Sequence, residues 1–366
     1  MNITVTQENL TKALNAISRV ATSRNELAIL NNILLRTDGG RLVVAATNLE
    51  IAATQYVGAK VETPGSITIP ARLMSDFISG LPAGVISLSA KDNHLHITSG
   101  KFSSVINGVV ADEFPELPTI DEANGVTITL STEELKRAVA QTIVATSSDM
   151  TRAVLTGVYW HTHEGALYLA ATDGYRLAER RLMSTEAEIA AVIPASTLQE
   201  VLRSLDESVE EVAIVFNDAQ VGFQTPQMEL VSRLIDGAFP NYRQLIPASS
   251  ETTAVIDKAD FSRITKIASL FARDSGGGIT LSADEEASSL SVHSVASELG
   301  ENTSEAAAKV KGNGTVTLNS RYLIEALAVT DGGVVEFAFS GKLAPCIIKE
   351  AAKQTDYMHI IMPMKS

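Results

Sequence analysis

A chain of 366 residues with 45% hydrophobic residues is long enough for two or three domains with sizeable cores, and no apolar run reaches the roughly 18 residues of a transmembrane helix. A formal net charge of −14 argues against gripping nucleic acid by bulk charge, because phosphate binding rests mostly on Lys and Arg. A single cysteine, Cys346, excludes an intramolecular disulfide, and aromatic residues at 5% argue against a stacking platform for single strands or sugars. The opening Met-Asn-Ile-Thr lacks the basic and apolar regions of a secretory signal, so a cytoplasmic protein is expected.

The first segment, TVTQENLTKALNAI (4–17), predicts a short strand and then a helix capped by Thr6, with Glu8 and Asn9 in its first turn. LNNILLRTDGGRLVVAATNLEIA (30–52) follows as alternating strands joined by an Asp38-Gly39 turn. ITIPARLMSDFISGL (67–81) predicts a strand and a second helix with Pro70 in its first turn. VISLSAKDNHLHITS then alternates as strands, and ADEFPELP ends the segment as a Phe-Pro linker.

The same order then recurs. TLSTEELKRAVAQTI (129–143) and VIDKADFSRITKIA (255–268) repeat the first helix, capped by Ser131 with Glu133 and Glu134, and by Asp257 with Asp260. LTGVYWHTHEGALYLAATDGYRLA (155–178) repeats the hairpin. AVIPASTLQEVLRSL (191–205) and VTLNSRYLIEALAVT (316–330) repeat the second helix. DGAFPNYRQLIP repeats the linker. Thr47 maps to Thr172, Phe114 to Phe239, and Pro70 to Pro194 and Asn319, at offsets of 124 to 125. One offset kept over several segments predicts three copies of one unit, at 1–118, 126–247 and 252–366. Two helices and many antiparallel strands per unit give an α+β class, with the helices gathered on one side of the sheets.

On a helical wheel Leu10, Leu14 and Ile17 form one apolar stripe, with Lys12 and Arg19 nearly opposite. In the second unit Leu135, Val139 and Thr142 form the stripe and Arg137 lies opposite. In the third, Phe261, Ile264 and Ala268 do so, with Arg263 opposite and Lys266 nearby. Lys12, Arg137 and Arg263 therefore share one repeat position facing solvent. On the second helix Arg72 and Arg321 are equivalent, and Arg203 lies one or two turns along in unit two. A solvated helix face explains part of this, because Arg72 with Asp76 and Arg321 with Glu325 are i,i+4 pairs. The same face being basic three times in an acidic chain favours a nucleic-acid surface.

The threefold repeat, AATDGYRLA (170–178), SRLIDGAFPNYRQLIP (232–247) and the closing HIIMPMKS (359–366) together resemble the beta subunit of bacterial DNA polymerase III, the sliding clamp family. The resemblance covers essentially the whole chain in order. It implies a ring of two three-unit chains joined head to tail, with helices lining the hole and strands outside. Such a ring encircles duplex DNA without sequence preference and holds it by topology, so the charge of −14 is no obstacle. It also implies as partners the DNA polymerase III alpha subunit, the clamp loader, and other polymerases and repair factors that dock short apolar peptide motifs.

Carried over residue by residue, the implied peptide pocket begins with Leu155, Thr172, Gly174, Tyr175, Arg176 and Leu177. Pro240, Gln244 and Leu245 of the linker, with Asn319 and Tyr322 of the second helix, continue it. Leu343, Pro345 and the tail Met362, Pro363 and Met364 complete it. Methionines and prolines on a surface tail suit an adaptable apolar patch, whereas Leu155 and Leu177 alone read as core. Two departures touch this site: DSGGG (274–278) stands where relatives carry a larger rim side chain, so an open or mobile rim is expected, and the chain ends in polar Ser366.

The implied DNA-facing set is Lys12, Arg19, Arg24, Arg72, Lys136 and Arg137, with Arg152, Arg203, Arg263, Lys266, Arg273 and Arg321. For the dimer the candidates are Lys101, Phe102, Val105 and Ile106 against Leu270 and Phe271, with Glu298, Glu301 and Glu305 facing basic residues.

No catalytic constellation emerges. His161-x-His163 has metal-like spacing but no third ligand nearby, and reads as a strand end with two exposed imidazoles. His94 and His96 share a strand face without a carboxylate set. Asp173-Gly174 invites an acid/base reading, but its repeat partner is Asn48-Leu49, which points to a turn. There is no Walker loop, no Gly-x-Ser-x-Gly and no dinucleotide fingerprint, so no cofactor or metal is expected. The alternatives to the clamp are an adaptor of the same fold that does not encircle DNA, and an enzyme.

Overall fold

The computed structural model describes all residues except 22–26, 121–124, 206–207, 273–275, 353–354 and 365–366. Arg24, Arg273 and Ser366 lie outside the described residues. The helices are α1 (Gln7–Ala21), α2 (Ala71–Ser79), α3 (Thr132–Ile143), α4 (Ala195–Ser204), α5 (Lys258–Ser269) and α6 (Ser320–Val329). Among the described residues no helix is long and apolar enough to cross a membrane.

The helix starts follow from the sequence. Thr6 accepts from the N–H of Asn9, Ser131 from that of Glu134 and Asp257 from that of Asp260, each three residues on. Such bonds satisfy donors that a helix start leaves open. Pro70 and Asn319 sit at the cap positions of α2 and α6, one step earlier than the first turn.

Contacts divide the chain into two compact units, Met1–Leu135 with Ser196–Leu234, and Lys136–Ala195 with Ile235–Ser366. Each unit cuts across the sequence repeats because the repeats share sheets. In the first unit the strand Met228–Arg233 of the second repeat pairs antiparallel with Ile51–Gly58 of the first, in register from Met228↔Gln55 to Ser232↔Ile51. In the second unit Tyr357–Ile361 of the third repeat pairs with Arg176–Ser184 of the second, from Arg176↔Ile361 to Arg180↔Tyr357.

The first unit holds an eight-stranded and a five-stranded sheet. The latter runs Lys60–Thr63, Asn2–Thr6, Val85–Lys91, His94–Ser99, Phe102–Asn107. α1 packs on α2, burying Leu10, Leu14, Ile17, Met74 and Ile78 completely. The second unit is built on one continuous twelve-stranded antiparallel arrangement, and α5 packs on α6 over Phe261, Leu323, Phe337 and Phe339. Burying such side chains contributes about 1.5–3 kcal/mol each, and this fixes which helix face points outward. Lys12, Arg137 and Arg263 are all on exposed faces.

Candidate functional site

In the second unit, the strand Ala166–Thr172 turns into Arg176–Ser184 through three residues held by short side chains. The Thr172 hydroxyl donates to the Arg176 carbonyl at 2.6 Å and accepts from the Gly174 N–H at 3.0 Å. Asp173 Oδ1 accepts from the N–H groups of Tyr175 and Arg176, at 2.9 and 3.1 Å. Gly174 has φ +93°, a conformation glycine adopts without strain. The result pushes Tyr175 outward, 63% exposed. Asn48 plays the part of Asp173 in the equivalent turn, accepting from Glu50 and Ile51, and Thr47 repeats the bonds of Thr172. The carboxylate is thus a turn former.

Arg176 does not line a surface. Its side chain is 5% exposed, donates from Nε to Asp173 Oδ2 at 3.1 Å and from Nη1 to Glu325 Oε2, and lies 4.4 Å over the Tyr322 ring. Glu325 Oε1 accepts from Arg321 Nε at 2.8 Å. Burial pushes the Glu325 carboxyl up, but hydrogen bonds from Arg321 and Arg176 outweigh it and hold it below the usual carboxylate range. Leu155, Thr172 and Leu177 are also buried, Leu177 against Tyr242 and Ile360, so the first part of the sequence-predicted pocket presents chiefly Gly174 and Tyr175.

The tail is brought to this turn. Met362 N–H donates to the Tyr175 carbonyl and Met364 N–H to the Thr317 carbonyl, both at 2.8 Å. Asn319 accepts from the N–H groups of Arg321 and Tyr322, and its amide donates to the Gly276 carbonyl at 3.3 Å. Gly276 and Gly277 have φ +63° and +85°, and Ser320 N–H donates to the Gly277 carbonyl. The described part of the glycine stretch is therefore tied to the start of α6, while residues 274 and 275 lie outside the described residues. Pro345 precedes Cys346, which pairs with Ile361, so the register carries it to the level of Met362. Leu245 and Leu343 are exposed, as are Pro240 and Gln244, while Pro363 is half-buried.

The two imidazoles of His161 and His163 differ from expectation. His161 is 6% exposed. The linker covers it: Tyr242 donates to Glu179, and the phenol oxygen accepts from His161 Nε2–H, 2.7 Å away. Tyr159 stacks between His161 and Phe239 at 4.6 and 4.9 Å, and Arg243 bridges Glu179 at 3.0 Å. Burial and the charge of Arg243 lower the His161 pKa to about 4. His163, one strand step further out, stays half-exposed. Linker residues far away in sequence supply this cover, and the strand pattern alone gives no sign of them. No group of three or more His, Cys, Asp or Glu is placed to hold a metal among the described residues.

In the first unit a groove of about 860 Å³ brings Lys12 and Arg19 of α1 to Arg203 of α4. Arg72 is 87% exposed beside Asp76, and Arg263 lies 2.7 Å from Asp260. Arg321 shares Glu325, and Lys266 is exposed, whereas Lys136 is half-buried. Exposed pairs of this kind are worth about 0.2–1 kcal/mol, so these cations remain available to a phosphate. Arg152 is different: its Nη2 donates to the Asp173 carbonyl at 3.3 Å, behind the Tyr175 turn.

The strand Phe102–Asn107 forms the edge of the five-stranded sheet, with Lys101, Phe102 and Val105 exposed. Ile106 is buried, because alternation along the strand turns it into the core of its own unit; it is no contact residue. In the second unit Gly300–Lys311 pairs with Ser289–Ala296 through residue 307 and with Thr252–Asp257 from residue 308. Residues 300–307 therefore keep one edge without a strand partner among the described residues, with Glu301 and Glu305 exposed along it. Glu298 and Leu270 are exposed and Phe271 is half-buried.

Residues 1–118, 129–241 and 243–365 match the N-terminal, central and C-terminal domains of the family described as DNA polymerase III beta subunit. The chain is 31% identical over 381 residues to a beta sliding clamp of Staphylococcus epidermidis, covering all of both chains. It is 29% identical over 380 residues to one of Bacillus subtilis, again covering all of both. The crystal structure of a Bacillus subtilis DNA polymerase sliding clamp superposes with a TM-score of 0.94 at 28% identity, over 100% of this chain and 99% of that one. A Pseudomonas aeruginosa DNA polymerase III subunit beta, bound to griselimycin, gives 0.94 at 26% identity over all of both chains.

Proposed function

Because the chain belongs to the beta sliding clamp family of bacterial DNA polymerase III, with its three-domain α+β fold, we propose that it is a non-catalytic processivity factor that closes around duplex DNA as a head-to-tail dimer. The repeat boundaries 1–118, 126–247 and 252–366 define its six-part ring. The ring holds DNA by topology and tethers the polymerase alpha subunit, the clamp loader and repair factors through the tail-and-turn surface around Tyr175 and Met362. The observation that carries this reading is the basic position repeated on three outward helix faces, Lys12, Arg137 and Arg263, in a chain of net charge −14. Weak, mobile phosphate contacts suit sliding, and tight ones would oppose it.

Among the described residues the edges of Phe102–Asn107 and of 300–307 have no strand partner, which supports edge-to-edge closure of the ring, since unpaired strand edges recruit another chain. Griselimycin bound to the Pseudomonas relative supports a ligand site on this fold. The work is in the cytoplasm. Light scattering at micromolar concentration tests the assembly: a ring requires twice the chain mass of 38.9 kDa, and an adaptor that does not encircle DNA is a monomer.

A further inference from the structure

In the pocket proposed above, Arg176 cannot be a direct contact for a docked peptide, because its side chain is nearly sealed from solvent. Its role has to be played from behind. Three groups hold it: Asp173, the face of Tyr322 and Glu325. Asp173 lies only three residues away, so that bond ties the turn to itself. Glu325, 149 residues distant, ties the turn to α6.

We infer that Glu325 is a positioning residue of the peptide pocket: by fixing the Arg176 guanidinium it sets the Tyr175 turn, and with it the Met362 wall. The inference rests on the peptide-pocket reading and adds a residue which that reading lacks. The chain of contacts is continuous. Glu325 accepts from Arg176; the Arg176 backbone pairs with Ile361; the carbonyl of Tyr175, one residue earlier, accepts from Met362. A buried guanidinium that loses one of its carboxylates is left undercompensated, and it moves toward water to recover solvation. The other partner of Glu325, Arg321, is exposed and bonds the second carboxylate oxygen, so its removal leaves the Arg176–Glu325 bond in place.

The full-length chain is titrated by calorimetry with a synthetic Gln-Leu-Ser-Leu-Phe peptide. Glu325→Gln is expected to weaken binding about tenfold, the order of one charge-assisted hydrogen bond, and Arg321→Ala to change it less than about twofold. The NMR signal of Arg176 Nε–H should shift in Glu325→Gln and stay put in Arg321→Ala. Should Glu325→Gln fail to fold, Glu325→Asp, which keeps the charge but shortens the reach, takes its place with the same expected loss. Unchanged affinity or an unmoved Arg176 signal in the Glu325 variant overturns the inference, as does an equal loss in Arg321→Ala. If the unaltered chain binds no peptide, the pocket reading itself fails and the role of Glu325 falls with it.

Discussion

The N–H of Met362 donates to the carbonyl of Tyr175 at 2.8 Å, one step beyond the last residue of the strand Tyr357–Ile361. The strand itself ends in the core, with Ile360 and Ile361 buried, and the tail leaves it for the surface. The tail is therefore held by two backbone bonds beyond the strand, at one side to the turn and at the other to Thr317.

Deleting Met362–Ser366 should leave the fold and the dimer intact and remove peptide binding. One Leu and one Phe of a docked peptide offer roughly 3–6 kcal/mol before ordering costs, which is no tighter than tens of micromolar and does not survive loss of a wall. Calorimetry with the same peptide checks this. Unchanged affinity in the truncated chain would place the site elsewhere.

Val105→Asp should turn the dimer into a monomer. Val105 is exposed on a strand edge, and a carboxylate there would be buried without a partner on closure. Light scattering should show the mass halved while circular dichroism stays unchanged. A dimer of undiminished strength would exclude this edge.

Stability should fall as pH drops below about 6.5. His161 and His359 are buried and neutral, with pKa values lowered to about 4 and about 3 from 6.5, mainly by burial. Between those values and 6.5 the unfolded chain binds more protons than the folded one, so stability is present above 6.5 and is lost on acidification. Thermal melts from pH 7 to 4.5 should show this decline, and His161→Gln should make it shallower. A flat melting temperature over that range would contradict the buried, neutral assignment.

Replacing Lys12, Arg72 and Arg263 together by Ala should barely move the melting temperature, since each change at an exposed site stays within about 0.5 kcal/mol. Residence on DNA after loading should shorten several-fold, and gel-based retention assays read that directly. Equal residence would show that these helix faces do not meet the duplex.

The repeat, the helix caps and the outward basic faces were legible because they depend on local spacing: a cap three residues from its N–H, an apolar stripe every three or four positions. The Thr172 turn was legible for the same reason, its counterpart at Thr47 making the same bonds. What spacing could not reveal was contact over long separations. Glu325 looked like half of an i,i+4 pair with Arg321, and its bond to Arg176 depends on how the third repeat's strands join the second's sheet. His161 read as exposed because Tyr242, 81 residues on, covers it. Ile106 misled for a simpler reason, since an edge strand still turns every second side chain inward.

The most direct measurement follows the protein on closed circular duplex DNA after loading by a clamp loader. At about 1 M salt the Debye length is about 3 Å, so phosphate contacts are largely screened. A ring stays on the closed circle under that wash and leaves once a nuclease cuts the circle and opens free ends. Equal loss from circular and linear DNA as salt rises would contradict encirclement, leaving ordinary charge-based binding in its place.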